Sequence, residues 1–237
     1  ALSVSPMGAA ADPAHQPQDL GALAIGPRTT TDMQLWTAPG GADLNADGED
    51  GTEPSDLTTL IEENTLTEDD TIVSGDYVVH QITATGLEGL AQSEGGLNGA
   101  LTADSGLSLS IVQTNPVQNQ DAKEVDLSAS SGLTFVEGDG QYYIAVNTGD
   151  LQLEDSDREI AAGDEFQATF TVADDRLLRS TDDDDHESVN ATFTVEEPAT
   201  ELDVDPVEVT ASSGQTISGT TNYAPGTELT VRVRSSS

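Results

Sequence analysis

Strict alternation of apolar and polar residues is the feature that most constrains the fold of this chain. Every second residue is apolar in residues 166–172 and again in residues 189–195. Successive side chains of a β-strand point to opposite faces, so each run places one apolar face against a core. The connection over residues 173–187 has an acidic tip, and it joins the two runs as a predicted hairpin.

The remaining chain follows the same pattern, with little helix. Strands are predicted at four further places, residues 31–36, 76–85, 107–113 and 141–147. Only residues 56–63 show the i, i+3, i+4 spacing of a short helix, with Leu57, Leu60 and Ile61 on one face. Several short alternating strands predict an all-β fold, an immunoglobulin-like antiparallel β-sandwich over residues 31–198.

Residues 199–237 predict a second, incomplete β-sandwich unit. Its strands are expected at residues 207–211, 215–220 and 227–234, and three strands leave an open edge and a half-covered apolar face. Two explanations remain open. The chain is a fragment, or a neighbouring subunit donates a strand, for which the proline-rich residues 1–30 are the expected extended arm.

The chain is strongly acidic, with 44 Asp and Glu against 7 Lys and Arg and a formal net charge of -37. Lys123 is the only lysine. At ordinary salt this much like charge opposes a compact fold, whereas at molar salt the Debye length falls to about 3 Å. The composition therefore predicts a protein adapted to brine. Disorder is the rival explanation, and it is disfavoured because the apolar residues are grouped into alternating runs.

Composition also excludes several classes of protein. The chain has no cysteine, which excludes disulfides, thiolate metal sites and a cysteine nucleophile. Its acidity argues against a nucleic-acid partner, which requires clustered basic residues. No apolar stretch approaches the roughly 18–20 residues of a transmembrane helix. The first residues predict a mature N-terminus left by signal-peptide removal, although a boundary of other origin would look the same.

Asp43, Asn45 and Asp47 match the opening of a calcium-binding loop, with a glycine at the sixth position. Oxygen ligands at alternate positions converge on one cation, and glycine permits the sharp turn. The twelfth position is Pro54 instead of glutamate, although Glu53 lies beside it. Calcium held by Asp43, Asn45, Asp47 and Glu53 is therefore one hypothesis for a cofactor, and the other is that so acidic a chain matches the pattern by chance.

Asn190 begins the only N-x-Ser/Thr sequence with a permitted middle residue, Asn190-Ala191-Thr192. The alternation of residues 189–195 directs the odd positions inward. Asn190 is therefore predicted to point outward and to be a candidate N-glycosylation site.

No catalytic residue is predicted. His80 falls on the apolar face of a predicted strand, where a packed histidine with a satisfied hydrogen bond is the expected role. Trp36 and the pair Tyr142 and Tyr143 would suit a sugar-stacking platform, but packing is the preferred interpretation because aromatic residues are few. No motif that activates a nucleophile surrounds any serine, so the chain is not predicted to be an enzyme.

Two parts of the chain resemble haloarchaeal cell-surface glycoproteins of the surface-layer type. Residues 213–236, SGQTISGTTNYAPGTELTVRVRSS, are similar to a recurring surface domain of that family. Residues 75–87 and 163–170, GDYVVHQITATGL and GDEFQATF, resemble the domain that precedes it. The resemblance implies secretion, β-sandwich domains, N-glycosylation and a structural role on the cell envelope. It brings no catalytic residues.

The leading hypothesis is an extracellular structural subunit of a haloarchaeal surface layer or filament. Its expected partners are other copies of itself and neighbouring envelope proteins or glycans, joined by strand or edge complementation. The alternative is a calcium-dependent adhesin or carbohydrate-binding module of the envelope. Glycan binding that requires calcium would favour the second hypothesis.

Overall fold

The computed structural model describes residues 28–44, 54–102, 105–131, 133–138, 140–174, 176–178, 186–203 and 212–232. These residues form two β-sheets packed face to face, with short helices at the periphery. The elements in chain order are β1 (Thr30–Ala38), α1 (Pro54–Glu62), β2 (Thr67–Glu68), β3 (Thr71–Val73), β4 (Tyr77–Ala84), α2 (Glu88–Ser93), α3 (Leu97–Thr102), β5 (Leu107–Gln113), β6 (Leu133–Gly138), β7 (Gln141–Asn147), β8 (Glu165–Val172), β9 (Glu187–Glu196), β10 (Thr200–Leu202) and β11 (Gly219–Thr221).

The first sheet has the strand order β2-β1-β4-β7-β6, and every neighbouring pair is antiparallel. The second sheet has the order β3-β9-β8-β5, with β3 parallel to β9 and the other pairs antiparallel. The predicted all-β sandwich is confirmed. The predicted hairpin is also present, because all of β8 pairs with β9, with Phe166 opposite Phe193.

The main core lies between the two sheets. Phe166, Phe170 and Phe193 are fully buried there, and the rings of Phe166 and Phe193 stack with centroids 5.7 Å apart. Burying one such side chain contributes about 1.5–3 kcal/mol. The facing sheet contributes Val78, Ile82 and its other inward residues Met33, Leu35, Tyr142, Ile144 and Val146.

A second apolar cluster covers the outer face of the first sheet. Val79, Tyr143 and Ala145 point away from the main core and pack against Leu57 of α1 and Leu66. Leu60 and Ile61 pack on the same cluster, which confirms the amphipathic helix expected from their spacing. The first sheet is therefore buried on both faces. This explains why nearly every residue of β4 and β7 is buried, instead of every second one.

Residues 67–73 connect one sheet to the other at a corner of the sandwich. β2 pairs with the end of β1 at Trp36 and Thr37. After the two intervening residues 69 and 70 the chain pairs with the end of β9 as β3, and Thr194 N–H donates to the carbonyl of Asp70 at 2.8 Å. These two short strands and β6 were not expected from the sequence.

The C-terminal part differs from the expectation. Its described residues form one antiparallel ladder, β10 with β11. Residues 227–232, within the strand expected at residues 227–234, form no strand, and their alternating apolar residues Leu229 and Val231 are 45% and 68% exposed. Their alternation lacks a partner strand among the described residues, and an isolated alternating run buries nothing. The strand expected at residues 207–211 lies outside the described residues, and the division into domains stays a prediction.

Candidate functional site

A surface groove lies at the corner of the sandwich where β1 of the first sheet meets β9 of the second. We call it the edge groove; its volume is about 520 Å³. The groove is lined by residues of β1, of β9 and of the connection between β2 and β3, namely Met33, Gln34, Leu35, Glu68, Asp69, Asp70, Ala191 and Thr192. The lining combines apolar side chains from both sheets with three acids on one end.

Both strands beside the groove have free edges in the described structure. Residues 30–35 of β1 pair with β4 on one side only, because β2 reaches just Trp36 and Thr37. Residues 187–193 of β9 pair with β8 only, because β3 begins its pairing at Thr194. Unpaired N–H and C=O groups on an edge strand are a template for pairing with another strand.

The two ends of the groove show that β1 and β9 run in the same direction. At the starts of both strands, Arg28 donates from Nη1 to Oε2 of Glu187 at 2.6 Å. Arg28 is anchored further by a 2.5 Å hydrogen bond from Nη2 to the Thr30 hydroxyl. At the ends of both strands, residues 67–73 cross between the sheets. An ion pair therefore spans one end of the groove and the backbone closes the other.

A buried carboxylate joins the C-terminal segment to the sandwich. Asp76 is 2% exposed, and its two oxygens accept the backbone N–H of Gly40 at 3.1 Å and of Ala224 at 2.9 Å. Its own carbonyl accepts from the N–H of Thr148 at 3.0 Å. Gly40 is required in this contact, since a Cβ there would lie 1.9 Å from the carbonyl oxygen of Gly75. Asp76 thus fixes the position of Ala224, which is itself buried.

Comparison with known proteins shows that the chain is similar to surface proteins of haloarchaea. It is 38% identical over 222 residues to a Cell surface glycoprotein of Haloferax gibbonsii, covering 90% of this chain and 24% of that protein. Over 248 and 249 residues it is 33% and 32% identical to Cell surface glycoproteins 2 and 1 of Haloarcula hispanica. Each of these two alignments covers 93% of this chain and 26% of the relative.

The chain is a relative of haloarchaeal cell surface glycoproteins. The resemblance seen in the sequence is confirmed, and so is the predicted extracellular, cell-surface location. The chain spans about a quarter of the length of these relatives. No family model and no solved structure matches it.

The charge distribution suits a haloarchaeal surface protein. Among the described residues, Arg28, Lys123 and Arg176 form ion pairs with acids, and Arg158 donates to the carbonyl of Asp121 at 2.8 Å. Four of the five described Lys and Arg side chains therefore make contacts within the chain, while most described acids lie exposed around the core. At molar salt the Debye length is about 3 Å, so such a surface is well screened in brine.

The predicted calcium ligands lie mostly outside the described residues. Asp43 is described and exposed, and it precedes the buried Leu44. Asn45, Asp47 and Glu53 fall outside the described residues. In the ranges that are described, no three His, Asp or Glu side chains are grouped closely enough to hold a metal ion. The calcium site stays a prediction.

Asn190 lies on the exposed face of β9, as its position in the alternation predicted. Gln167 of the neighbouring strand β8 donates to its side-chain oxygen at 3.5 Å, and both side chains are exposed. A glycan at Asn190 would therefore project from the outer face of the second sheet. Its occupancy stays a prediction.

His80 is fully buried between the sheets and faces no groove. Nδ1 lies 3.1 Å from the carbonyl oxygen of Ile144, and the ring meets Phe193 edge-on at a centroid distance of 6.1 Å. Nε2 has no hydrogen-bond partner among the described residues. Burial lowers the pKa of His80 from 6.5 to about 4, so the ring is neutral at physiological pH. A packing role fits this environment.

The aromatic side chains considered for sugar stacking belong to the cores of the sandwich. Trp36 donates from Nε1 to Gln81 at 2.7 Å, and Gln81 donates to the Tyr143 hydroxyl at 3.0 Å. Tyr142 is 1% exposed in the main core. These three aromatic rings form no exposed platform, which agrees with the preferred packing interpretation. Burial also raises the pKa of Tyr143.

The edge groove and the structural role of Lys123 were not predicted from the sequence. Nothing in the sequence identifies the edge groove, because its existence depends on how far the short strands β2 and β3 extend. The scarcity of lysine is the one signal that could have drawn attention to Lys123 as a structural residue.

The structure also shows no membrane-spanning helix within the ranges it describes.

Proposed function

We propose that this chain belongs to an extracellular structural subunit that assembles into a surface layer or filament on a haloarchaeal cell. The observation that carries the proposal is its similarity, over nine-tenths of its length, to proteins named as cell surface glycoproteins. A structural role also agrees with the buried state of His80, whose side chain packs in the core.

Copies associate through edge strands. Two lines of reasoning support this mode: the free edges of β1 and β9, and the known ability of an unpaired edge to recruit a strand from another chain. Residues 1–27, which precede Arg28, supply the donor strand. Molar salt screens the acidic surfaces and lets copies approach one another.

Electron microscopy of purified protein tests the proposal. The full chain is expected to form ordered sheets or filaments at molar salt and to dissociate at low salt. A variant lacking residues 1–27 is expected to remain folded and monomeric in both conditions, since every described contact of the sandwich is retained. Circular dichroism of the variant controls for folding. A full chain that stays monomeric at molar salt would refute self-assembly, and assembly by the shortened chain would refute strand donation.

A further inference from the structure

We propose that residues 222–227 act as a strap that holds the C-terminal ladder, β10 with β11, at one fixed angle to the sandwich. The strap has the sequence NYAPGT and directly follows β11. The inference goes beyond the proposed function, because it concerns the shape of one copy instead of the contact between copies. Two parts of a chain that share only a small contact normally move relative to each other, so a fixed angle requires a specific device.

The first end of the strap is attached to the end of β9 by Asn222. Its side-chain Oδ1 accepts the backbone N–H of Ala199 at 2.8 Å, and its own backbone N–H donates to the carbonyl of Ala199 at 3.3 Å. Its Nδ2 donates to the carbonyl of Glu197 at 2.9 Å and to Oε2 of Glu196 at 3.2 Å. One amide side chain therefore joins the start and the end of the segment that contains the ladder.

The second end of the strap is attached to the turn before β4. The backbone N–H of Ala224 donates to Oδ2 of Asp76 at 2.9 Å, and Ala224 is 4% exposed. A buried N–H needs such an acceptor. The N–H and the hydroxyl of Thr148 donate to the carbonyl of Asp76 at 3.0 and 2.9 Å. The carboxylate that receives the strap is thus itself fixed where β4 begins and β7 ends.

The strap is folded into a tight turn that lies against the sandwich. The hydroxyl and the backbone N–H of Thr227 donate to the carbonyl of Ala224 at 2.7 and 3.1 Å, which closes a turn over Pro225 and Gly226. Gly226 has a φ of 94°, a conformation that favours glycine. A Cβ on Gly226 would lie 3.6 Å from Cγ of Pro39. The turn therefore lies close to the sandwich at a second point.

Two separate attachments determine an angle, whereas a single attachment would act as a hinge. The contacts of Asn222 join the strap to the end of β9 in the second sheet, and the contact of Ala224 joins it to the turn before β4 in the first sheet. Because the strap follows β11 directly, fixing the strap also fixes the ladder. A regular assembly of identical copies requires that every copy has the same shape.

Distances between two spin labels test the inference, since the chain has no native cysteine. The labelled pair is Ser108→Cys on β5 and Thr220→Cys on β11, both at exposed positions. A second pair, Ser108→Cys with Gln92→Cys on α2, lies within the sandwich and reports whether the sandwich stays folded. Pulsed electron paramagnetic resonance measures the distribution of each distance at molar salt. An excess of unlabelled copies removes distances between copies from the signal.

Two variants each remove one attachment, Asn222→Ala at the first end of the strap and Asp76→Ala at the second. Asp150→Ala is the matched control, because it removes an exposed carboxylate. We expect one narrow peak for the distance between β5 and β11 in the otherwise native chain and in Asp150→Ala. In Asn222→Ala and in Asp76→Ala the peak should broaden about two-fold or more, because the ladder then moves relative to the sandwich. The pair within the sandwich should keep its width.

A broad distribution in the otherwise native chain would overturn the fixed angle. A peak that stays narrow in both Asn222→Ala and Asp76→Ala would overturn the strap as its cause. If the pair within the sandwich also broadens in Asp76→Ala, then Asn222→Ala alone decides, because Asn222 lies outside both sheets. The result is measured within single copies, so it stands or falls separately from the self-assembly that electron microscopy tests.

Discussion

Lys123, the only lysine of the chain, donates from Nζ to Oδ2 of Asp164, and their side chains are 12% and 11% exposed. Asp164 also accepts from Gln113 Nε2 at 2.8 Å and from the backbone N–H of Ala161 at 2.7 Å. The carboxylate therefore ties β5, the segment around Lys123 and the turn before β8 together. The one lysine of this acid-rich chain therefore lies in a nearly buried position.

Lys123→Ala is expected to lower the free energy of unfolding by about 3 kcal/mol, because it leaves a nearly buried carboxylate without its counter-charge. Burial protects the pair from screening, so the loss should persist at molar salt. Arg158→Ala removes the same charge from a partly buried position where the guanidinium contacts a carbonyl instead of a carboxylate, and it is expected to cost about 1 kcal/mol. Urea unfolding at fixed molar salt measures both. Equal losses for the two variants would contradict a special role for the buried pair.

His80 is expected to make stability depend on pH between 6.5 and about 4. Its pKa is lowered by burial in the folded protein, so in this window the unfolded chain binds more protons than the folded one. Stability from this group is complete above pH 6.5 and falls as the pH drops towards 4. The loss amounts to about 3 kcal/mol over the window, at about 1.4 kcal/mol per unit.

His80→Leu should remove this contribution, because leucine does not titrate in the same apolar site. The measurement is the unfolding free energy of both proteins from pH 7 to pH 4 at constant salt. Carboxylates titrate in both proteins and cancel in the difference. A difference that stays constant with pH would show that His80 does not titrate as its burial requires.

The sequence predicted those parts of the fold in which local pattern and tertiary environment agree. The alternating pattern of β8 and β9 predicted strands with one face on the core, and the structure has them. The spacing of Leu57, Leu60 and Ile61 predicted an amphipathic helix, and α1 packs that face on the first sheet. β2 and β3 were missed because two or three residues pair at a corner, where alternation cannot be recognised. Residues 227–232 alternate but remain exposed, because burial needs a partner that pattern alone does not supply.

Whether a candidate site could be predicted from the sequence depended on how far apart its residues lie along the chain. Asn190 was predicted to face outward from the periodicity of its own strand, which is local information. Lys123 and Asp164 are separated by 41 residues, and Asp76 and Ala224 by 148. No local pattern brings such pairs together. The edge groove likewise arises from the relative lengths of strands in two different sheets.

Asp76→Ala is expected to release the C-terminal segment from the sandwich. The N–H groups of Gly40 and Ala224 would lose their acceptor in a buried site, which costs about 3 kcal/mol for two groups at 1–3 kcal/mol each. Hydrogen exchange followed by mass spectrometry should show faster exchange at residues 221–227. Asp150→Ala is the matched control, since Asp150 is exposed and its loss should cost less than about 0.5 kcal/mol. Unchanged exchange in Asp76→Ala would show that other contacts hold the segment.

Thr192 provides a paired test of glycosylation at Asn190. The acceptor sequence requires Ser or Thr at this position, so Thr192→Val abolishes it while Thr192→Ser preserves it. Both variants keep Asn190 itself, and Thr192 is only partly buried on β9. In protein secreted by a haloarchaeal host, intact mass should show a glycan on the native chain and on Thr192→Ser, and its loss on Thr192→Val. The same glycan mass on all three proteins would place the modification elsewhere, because only the valine variant lacks the sequence that directs a glycan to Asn190.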